Sequence, residues 1–189
     1  MPRSSDARAN AVASTARLLQ EQGYAATGVA QILDVSGAPK GSFYFHFPDG
    51  KEQLAVEALR LAGAEVEQGL RALAALTASP AELVSRFVDQ QVRGLVDSGY
   101  RRGCPIATVA LEMADESAAI RGACRDIFDS WITAMAEAFE PHLRAQARQS
   151  AEHVFVAVEG ALLLSRVRRD PGPLRATRDL LVSRLRDSA

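Results

Sequence analysis

An all-helical fold is what this sequence of 189 residues predicts, on three observations. Apolar residues recur at spacings of three and four through most of the chain, no run alternates with a period of two, and glycine or proline stands where most of the helical patterns stop. With 48% hydrophobic and 24% charged residues the composition is that of an ordinary globular protein, long enough for one compact domain or a small module leading a larger one.

The elements follow in order. Ala9, Val12, Ala16 and Leu19 form a stripe on a first helix from about Ser5 to Gln22, stopped by Gly23. Thr27 suits the N-cap of a short helix over "GVAQILDV", closed by Ser36 and Gly37. Pro39 suits the first turn of another short helix running to about His46. After "FPDG" comes a long helix with Leu59, Ala62, Val66, Leu70 and Leu73 on one face, and Ser79-Pro80 opens the next, which carries Leu83, Phe87 and Gln91. Cys104-Pro105 starts a short helix bearing Ile106, Val109 and Met113. Cys124, Phe128, Trp131, Met135 and Phe139 line the following one, with Pro141 expected to interfere with its end. From about Ala145 to Arg169 the pattern is helical again, and the apolar run Val154 to Leu164 predicts burial on every side. After "DPGP", Leu174, Thr177, Leu181 and Leu185 mark a last helix, making about nine helices with no sheet.

Several classes of function are poorly served. Cys104 and Cys124 have no metal or redox spacing, and His46, His142 and His153 form no ligand pair, so neither a metal nor a cofactor is expected. GxSxG, HExxH and P-loop patterns are missing, which disfavours an enzyme. The N-terminus lacks a signal-peptide core and the longest apolar run is too short to span a bilayer, so a cytoplasmic location with no membrane partner is expected.

The net charge is −1, and residues 1–60 carry six cations and six anions. A nucleic-acid binder of this composition must place a few cations well, because bulk charge supplies no footprint. The stretch "PKGSFYFHFPDGK" does concentrate them: it holds both of the chain's lysines and four of its eleven aromatics. Two short helices across a glycine turn make a helix-turn-helix pattern, and a second helix of seven or eight residues rises ~10 to 12 Å, comparable to the width of the DNA major groove. Gly41 allows close backbone approach, Ser42 offers a short donor and acceptor, and Tyr44, His46 and Lys51 could reach phosphates. Phe43 and Phe47, four apart, read as core anchors. The competing reading is that all these rings pin a small helix to its neighbours.

The segment "TGVAQILDVSGAPKGSFYFHFPDGKEQL" resembles the DNA-binding segment of the TetR family of transcriptional regulators. "RRGCPIATVALEMAD", "VEGALLLSRVRRDPGPL" and the extra glycine of "FPDGK" resemble its LmrA/YxaF-like branch. The resemblance implies an N-terminal three-helix DNA-binding domain over residues 1–49 and a helical ligand-binding and dimerisation domain over 50–189. It assigns phosphate-positioning roles to Thr27, Tyr44, His46 and Lys51, and groove-facing roles to Lys40, Ser42 and Phe45. Two positions depart from the family pattern: Pro39 replaces the usual hydroxyl cap and Leu33 the usual alanine.

The implied partners are a double-stranded DNA operator, a second copy of the chain and a small, largely apolar effector. Gly160 and Ala161 would let another helix approach within a four-helix dimer interface, unless the run is an ordinary buried helix. Phe87, Gln91, Met113, Phe128, Trp131, Met135 and Glu159 could line an effector cavity, with core packing as the alternative for the apolar ones and a paired structural carboxylate as the alternative for Glu159. A ligand-responsive repressor is the function these expectations describe. An all-helical enzyme and a helical interaction module without DNA binding are its rivals.

Overall fold

The structure is a computed structural model that describes residues 4–38, 41 and 43–187, and every described element is helical. In order these are α1 (Ser4–Gln22), α2 (Val29–Ser36), α3 (Phe43–His46), α4 (Gly50–Ala74), α5 (Pro80–Asp97), α6 (Pro105–Met113), α7 (Ala118–Leu143), α8 (Ala147–Arg168) and α9 (Gly172–Asp187), with a 3-10 turn at Arg144–Gln146. No helix among the described residues is long and apolar enough to cross a membrane.

The chain divides into two packing units, and the division falls inside α4 and α7. One comprises Met1–Ala64 with Cys104–Ile127, the other Glu65–Gly103 with Phe128–Ala189. In the first, α1 packs against α2 and α6. Its core includes Leu19, Ile32, Phe47, Leu54, Leu59, Ile106 and Ile120, all nearly inaccessible to solvent. The buried face of α1 is Ala7, Ala11, Val12, Ser14, Thr15 and Leu19, whereas Ala9 is exposed and Ala16 half-buried. The stripe read from sequence was thus displaced. Alanine contributes little apolar area with which to mark a face, and Thr15 can be buried because its hydroxyl donates to the Ala11 carbonyl at 2.7 Å.

In the second unit α9 packs against α5 and α8. The Ser79 hydroxyl caps α5 by accepting from the Glu82 amide at 3.2 Å, with Pro80 in the first turn, as the Ser-Pro signal predicts. Pro141 does not stop α7, which runs on to Leu143 before the chain breaks at Arg144 with a left-handed φ of 48°.

The expectation for α8 needs a larger correction. Val154, Phe155, Val158, Ala161 and Leu162 are buried, but Val156, Gly160, Leu163, Leu164 and Val167 are exposed. Burial all round is therefore not met within the chain: one side of the apolar run packs inward and the other is left open.

Candidate nucleic-acid interface

The α2–α3 segment is assembled around one left-handed residue. Gly37 adopts φ 66°, ψ 16° at the end of α2, and its amide donates to the Asp34 carbonyl. Only glycine takes this conformation without steric cost, so a glycine here lets α2 end abruptly and the chain turn. Ile32 and Leu33 are buried on the inner side of α2. Leu33, where the family pattern has alanine, is thus accommodated in the core.

On α3 the rings divide by exposure. Phe43 and Phe47 are 3% and 1% exposed, 5.6 Å apart between ring centres, and the Phe47 amide donates to the Phe43 carbonyl. Tyr44 and Phe45 are 70% and 79% exposed. His46 is half-buried beside Phe45 and Phe47, and Gly41 is exposed. Two apolar anchors therefore present two large rings to solvent on one helical turn, an arrangement that costs apolar exposure unless something covers it. Lys40 and Ser42, together with Pro39, lie outside the described residues.

Thr27 and Lys51 do more inside the protein than the sequence suggested. Gly28, not Thr27, is the N-cap of α2, and no side chain caps that end. Thr27 is fully buried, and its hydroxyl donates backwards to the Gly23 carbonyl at 2.6 Å while accepting from the side-chain Nε2 of Gln22 at 3.3 Å. The half-buried Lys51 sends its Nζ to the Tyr24 carbonyl at 2.7 Å and over the Tyr24 ring. Burial lowers its pKa below the ordinary lysine value, and the carboxylate of Glu112 opposes that shift. At the other end of α1, Arg8 pairs with Glu57 of α4 at 2.7 Å and lies over the Phe47 ring.

In the second unit the residues read as an effector lining fall into two groups. Phe87, Trp131 and Met135 are buried, and Phe155, which the sequence reading left out of the set, joins them: it meets Phe87 edge-on at 5.7 Å and stacks with Trp131 at 6.0 Å. Gln91, Phe128 and Glu159 are half-buried, and Glu159 is not without a partner. Met113, half-buried at the end of α6, belongs to the first unit. Among the described residues no group of histidine, cysteine, aspartate and glutamate could hold a metal ion.

A glycine-turned pair of short helices, anchored by buried rings and offering exposed ones, in an otherwise all-helical chain, defines a helix-turn-helix protein. Comparison with known proteins gives the family. Residues 11–58 match the model of the tetR family of bacterial regulatory proteins, and residues 80–180 match that of the C-terminal domain of LmrA/YxaF-like transcriptional regulators. The chain is 33% identical to the HTH-type transcriptional regulator YxaF of Bacillus subtilis over 171 residues, covering 89% of this chain and 90% of that one. It is also 33% identical to LmrA of the same organism over 175 residues, covering 89% and 91%. The crystal structure of a regulatory protein TetR from Rhodobacter sphaeroides superposes with a TM-score of 0.83 over 94% of this chain and 97% of that one, at 24% identity, which shows the shared fold. The chain belongs to the TetR family of transcriptional regulators, in its LmrA/YxaF-like branch. It is a DNA-binding transcriptional regulator and not an enzyme.

Proposed function

We propose that this protein is a cytoplasmic repressor that binds a palindromic operator as a homodimer and is released by a small, largely apolar effector. The observation that carries the DNA-binding part is the split of α3 into buried Phe43 and Phe47 and exposed Tyr44 and Phe45. Rings exposed next to the glycine-turned α2 are placed to meet bases or sugars, while Lys40, Ser42, His46 and Lys51 supply polar contacts to base edges and phosphates. Residues 1–49 form the DNA-reading part in this reading, and residues 50–189 the part that dimerises and takes the effector.

Dimerisation is supported by the open side of α8. Val156, Gly160, Leu163 and Val167 lie four, three and four residues apart and so share one helical face, which Leu164 widens. A Cβ built on Gly160 would meet no atom of its own chain within 4 Å, so that glycine serves no internal packing and leaves room for a second helix. An exposed apolar stripe of this length marks a partner surface, and two-fold pairing closes it. A dimer also doubles the base pairs read, which one short helix alone cannot supply in sufficient number.

The effector is proposed to bind beside the aromatic stack of the second unit, in contact with the half-buried Gln91, Phe128 and Glu159. The DNA-binding part is tested by a gel shift of the purified protein on DNA from upstream of its own gene. Retardation that survives excess random DNA supports it, and equal competition by random DNA overturns it.

A further inference from the structure

The turn between α1 and α2, residues 23–28, is held by a residue remote in sequence. From the last turn of α6, Glu112 accepts the Ala25 amide on Oε2 at 2.7 Å. Its other oxygen occupies the place where a side chain on residue 23 would begin, since a Cβ built on Gly23 falls 1.8 Å from Oε1. Gly23 itself has φ 80°, so this position needs glycine for both its backbone and its space. The neighbouring Tyr24 carbonyl is taken by Lys51 of α4, and the side-chain Nε2 of Gln22 donates to the Ala26 carbonyl and to the Gln31 side chain of α2. The turn is therefore gripped at three consecutive residues, and the grip of Glu112 comes from α6.

We propose that Glu112 is a positioning residue for DNA binding: its carboxylate, seated against Gly23 and bonded to the Ala25 amide, clamps the α1–α2 turn to α6 and thereby sets the attitude of α2 and α3. The proposal rests on the DNA-binding reading above and adds to it a residue outside the helix-turn-helix segment. An amide held by a carboxylate forms a charge-assisted bond, stronger than one between neutral groups. Without it the turn keeps the Lys51 and Gln22 contacts from α4 and α1.

The sign of the effect separates this role from simple electrostatics. Removing a carboxylate from a DNA-binding protein should strengthen its hold on a polyanion. The clamp predicts the opposite. Glu112→Ala should weaken operator binding about tenfold, the loss of one hydrogen bond to a charged group, with the salt dependence of binding unchanged because no phosphate contact is lost. Glu112→Gln, which keeps an acceptor of the same shape, should recover most of that loss. Gly23→Ala should weaken binding by expelling the carboxylate, and adding Glu112→Ala to it should cost nothing further, since the contact is already broken.

Hydrogen exchange of the Ala25 amide in the free protein tests the clamp without DNA. It should quicken severalfold in Glu112→Ala and stay close to wild type in Glu112→Gln. Unchanged exchange in Glu112→Ala overturns the clamp. Quickened exchange with undiminished operator affinity overturns its role in positioning. Tighter operator binding by Glu112→Ala assigns the residue a purely repulsive charge and also overturns the proposal. A wild-type protein that binds no operator defeats the DNA-binding reading and the positioning role with it, and the exchange result then decides whether the clamp itself exists.

Discussion

The ammonium of Lys51 donates to the Tyr24 carbonyl at 2.7 Å and stands 3.9 Å above the centre of the Tyr24 ring. A residue expected to act on phosphate from the start of α4 is thus also a staple between α4 and the α1–α2 turn. The two roles separate by experiment. Lys51→Ala should cost about 1 kcal/mol of stability in the free protein, from the lost hydrogen bond and cation–π contact. If one of its remaining donors also reaches a phosphate, the slope of log affinity against log salt falls by about one unit. Urea denaturation and gel shifts at three salt concentrations check both, and an unchanged slope leaves Lys51 with the staple alone.

The rings of α3 should respond in two distinct ways. Phe45→Ala and Tyr44→Ala remove exposed groups and should change stability by no more than about 0.5 kcal/mol, while weakening the cognate site by ~1 to 3 kcal/mol and random DNA much less. Phe43→Ala and Phe47→Ala empty the core and should cost about 3 to 5 kcal/mol of stability. Equal losses on cognate and random DNA for Phe45→Ala would take sequence reading away from that ring.

Of the two small residues that the sequence offers for a dimer contact, Gly160 and Ala161, the first is open and the second buried. Ala161 is 4% exposed within its own chain, so a charge there would damage the fold of a single subunit before it touched any interface. Gly160 is the open neighbour. Gly160→Arg and Val167→Asp should leave helix content and the thermal midpoint of the subunit largely intact while shifting sedimentation from dimer to monomer and abolishing operator binding. An unchanged dimer in both variants would place the interface elsewhere.

What was legible in the sequence was the information carried by single residues with one physical use. Gly37 marks the turn because left-handed backbone strongly favours glycine, and Phe43 and Phe47 read as anchors because residues four apart share a helical face. Thr27 misled, since a threonine ahead of a helix resembles an N-cap whichever way its hydroxyl points, and here it points back to Gly23. The face of α1 was blurred because alanines mark it weakly. The grip of Glu112 on Ala25 joins residues 87 apart and leaves no trace in any local pattern. The run Val154 to Leu164 announces apolar surface on every side, but periodicity does not say whether the chain itself or a second copy covers it.

Cys124 is buried, and burial pushes its thiol pKa from 9.0 up to about 11. The thiolate is the reactive form, so the folded protein should resist alkylation at pH 8 and react there only after unfolding. The pH dependence of stability follows with a definite sign. Between about 9 and about 11 the unfolded chain has released the Cys124 proton and the folded one retains it, so this group lowers stability as pH rises through that window and changes nothing below it. A Cys124→Ser variant should lose that alkaline decline, as followed by thermal melts at a series of pH values.

Trp131 is the chain's only tryptophan, stacked on Phe155 and met edge-on by Phe128 at 5.5 Å, which makes its emission a reporter of the proposed effector region. Replacing Trp131 or Phe87 by alanine would open the buried stack and cost about 3 to 5 kcal/mol, so lost binding in those variants would be indistinguishable from lost structure. Gln91 and Phe128, both half-buried, are the better probes. A screen of small apolar compounds by quenching should yield ligands that weaken operator binding, and Gln91→Ala and Phe128→Ala should weaken those ligands while leaving operator affinity without ligand unchanged. A ligand moves the protein off DNA only through its different affinity for the DNA-competent and incompetent states. Tenfold release requires about 1.4 kcal/mol of such coupling, and operator DNA must then weaken the ligand tenfold in return. Titrating the quenching with and without operator measures that reciprocity: equal factors in the two directions establish an effector site coupled to DNA binding, and ligands indifferent both to DNA and to the Gln91 and Phe128 substitutions place any effector elsewhere.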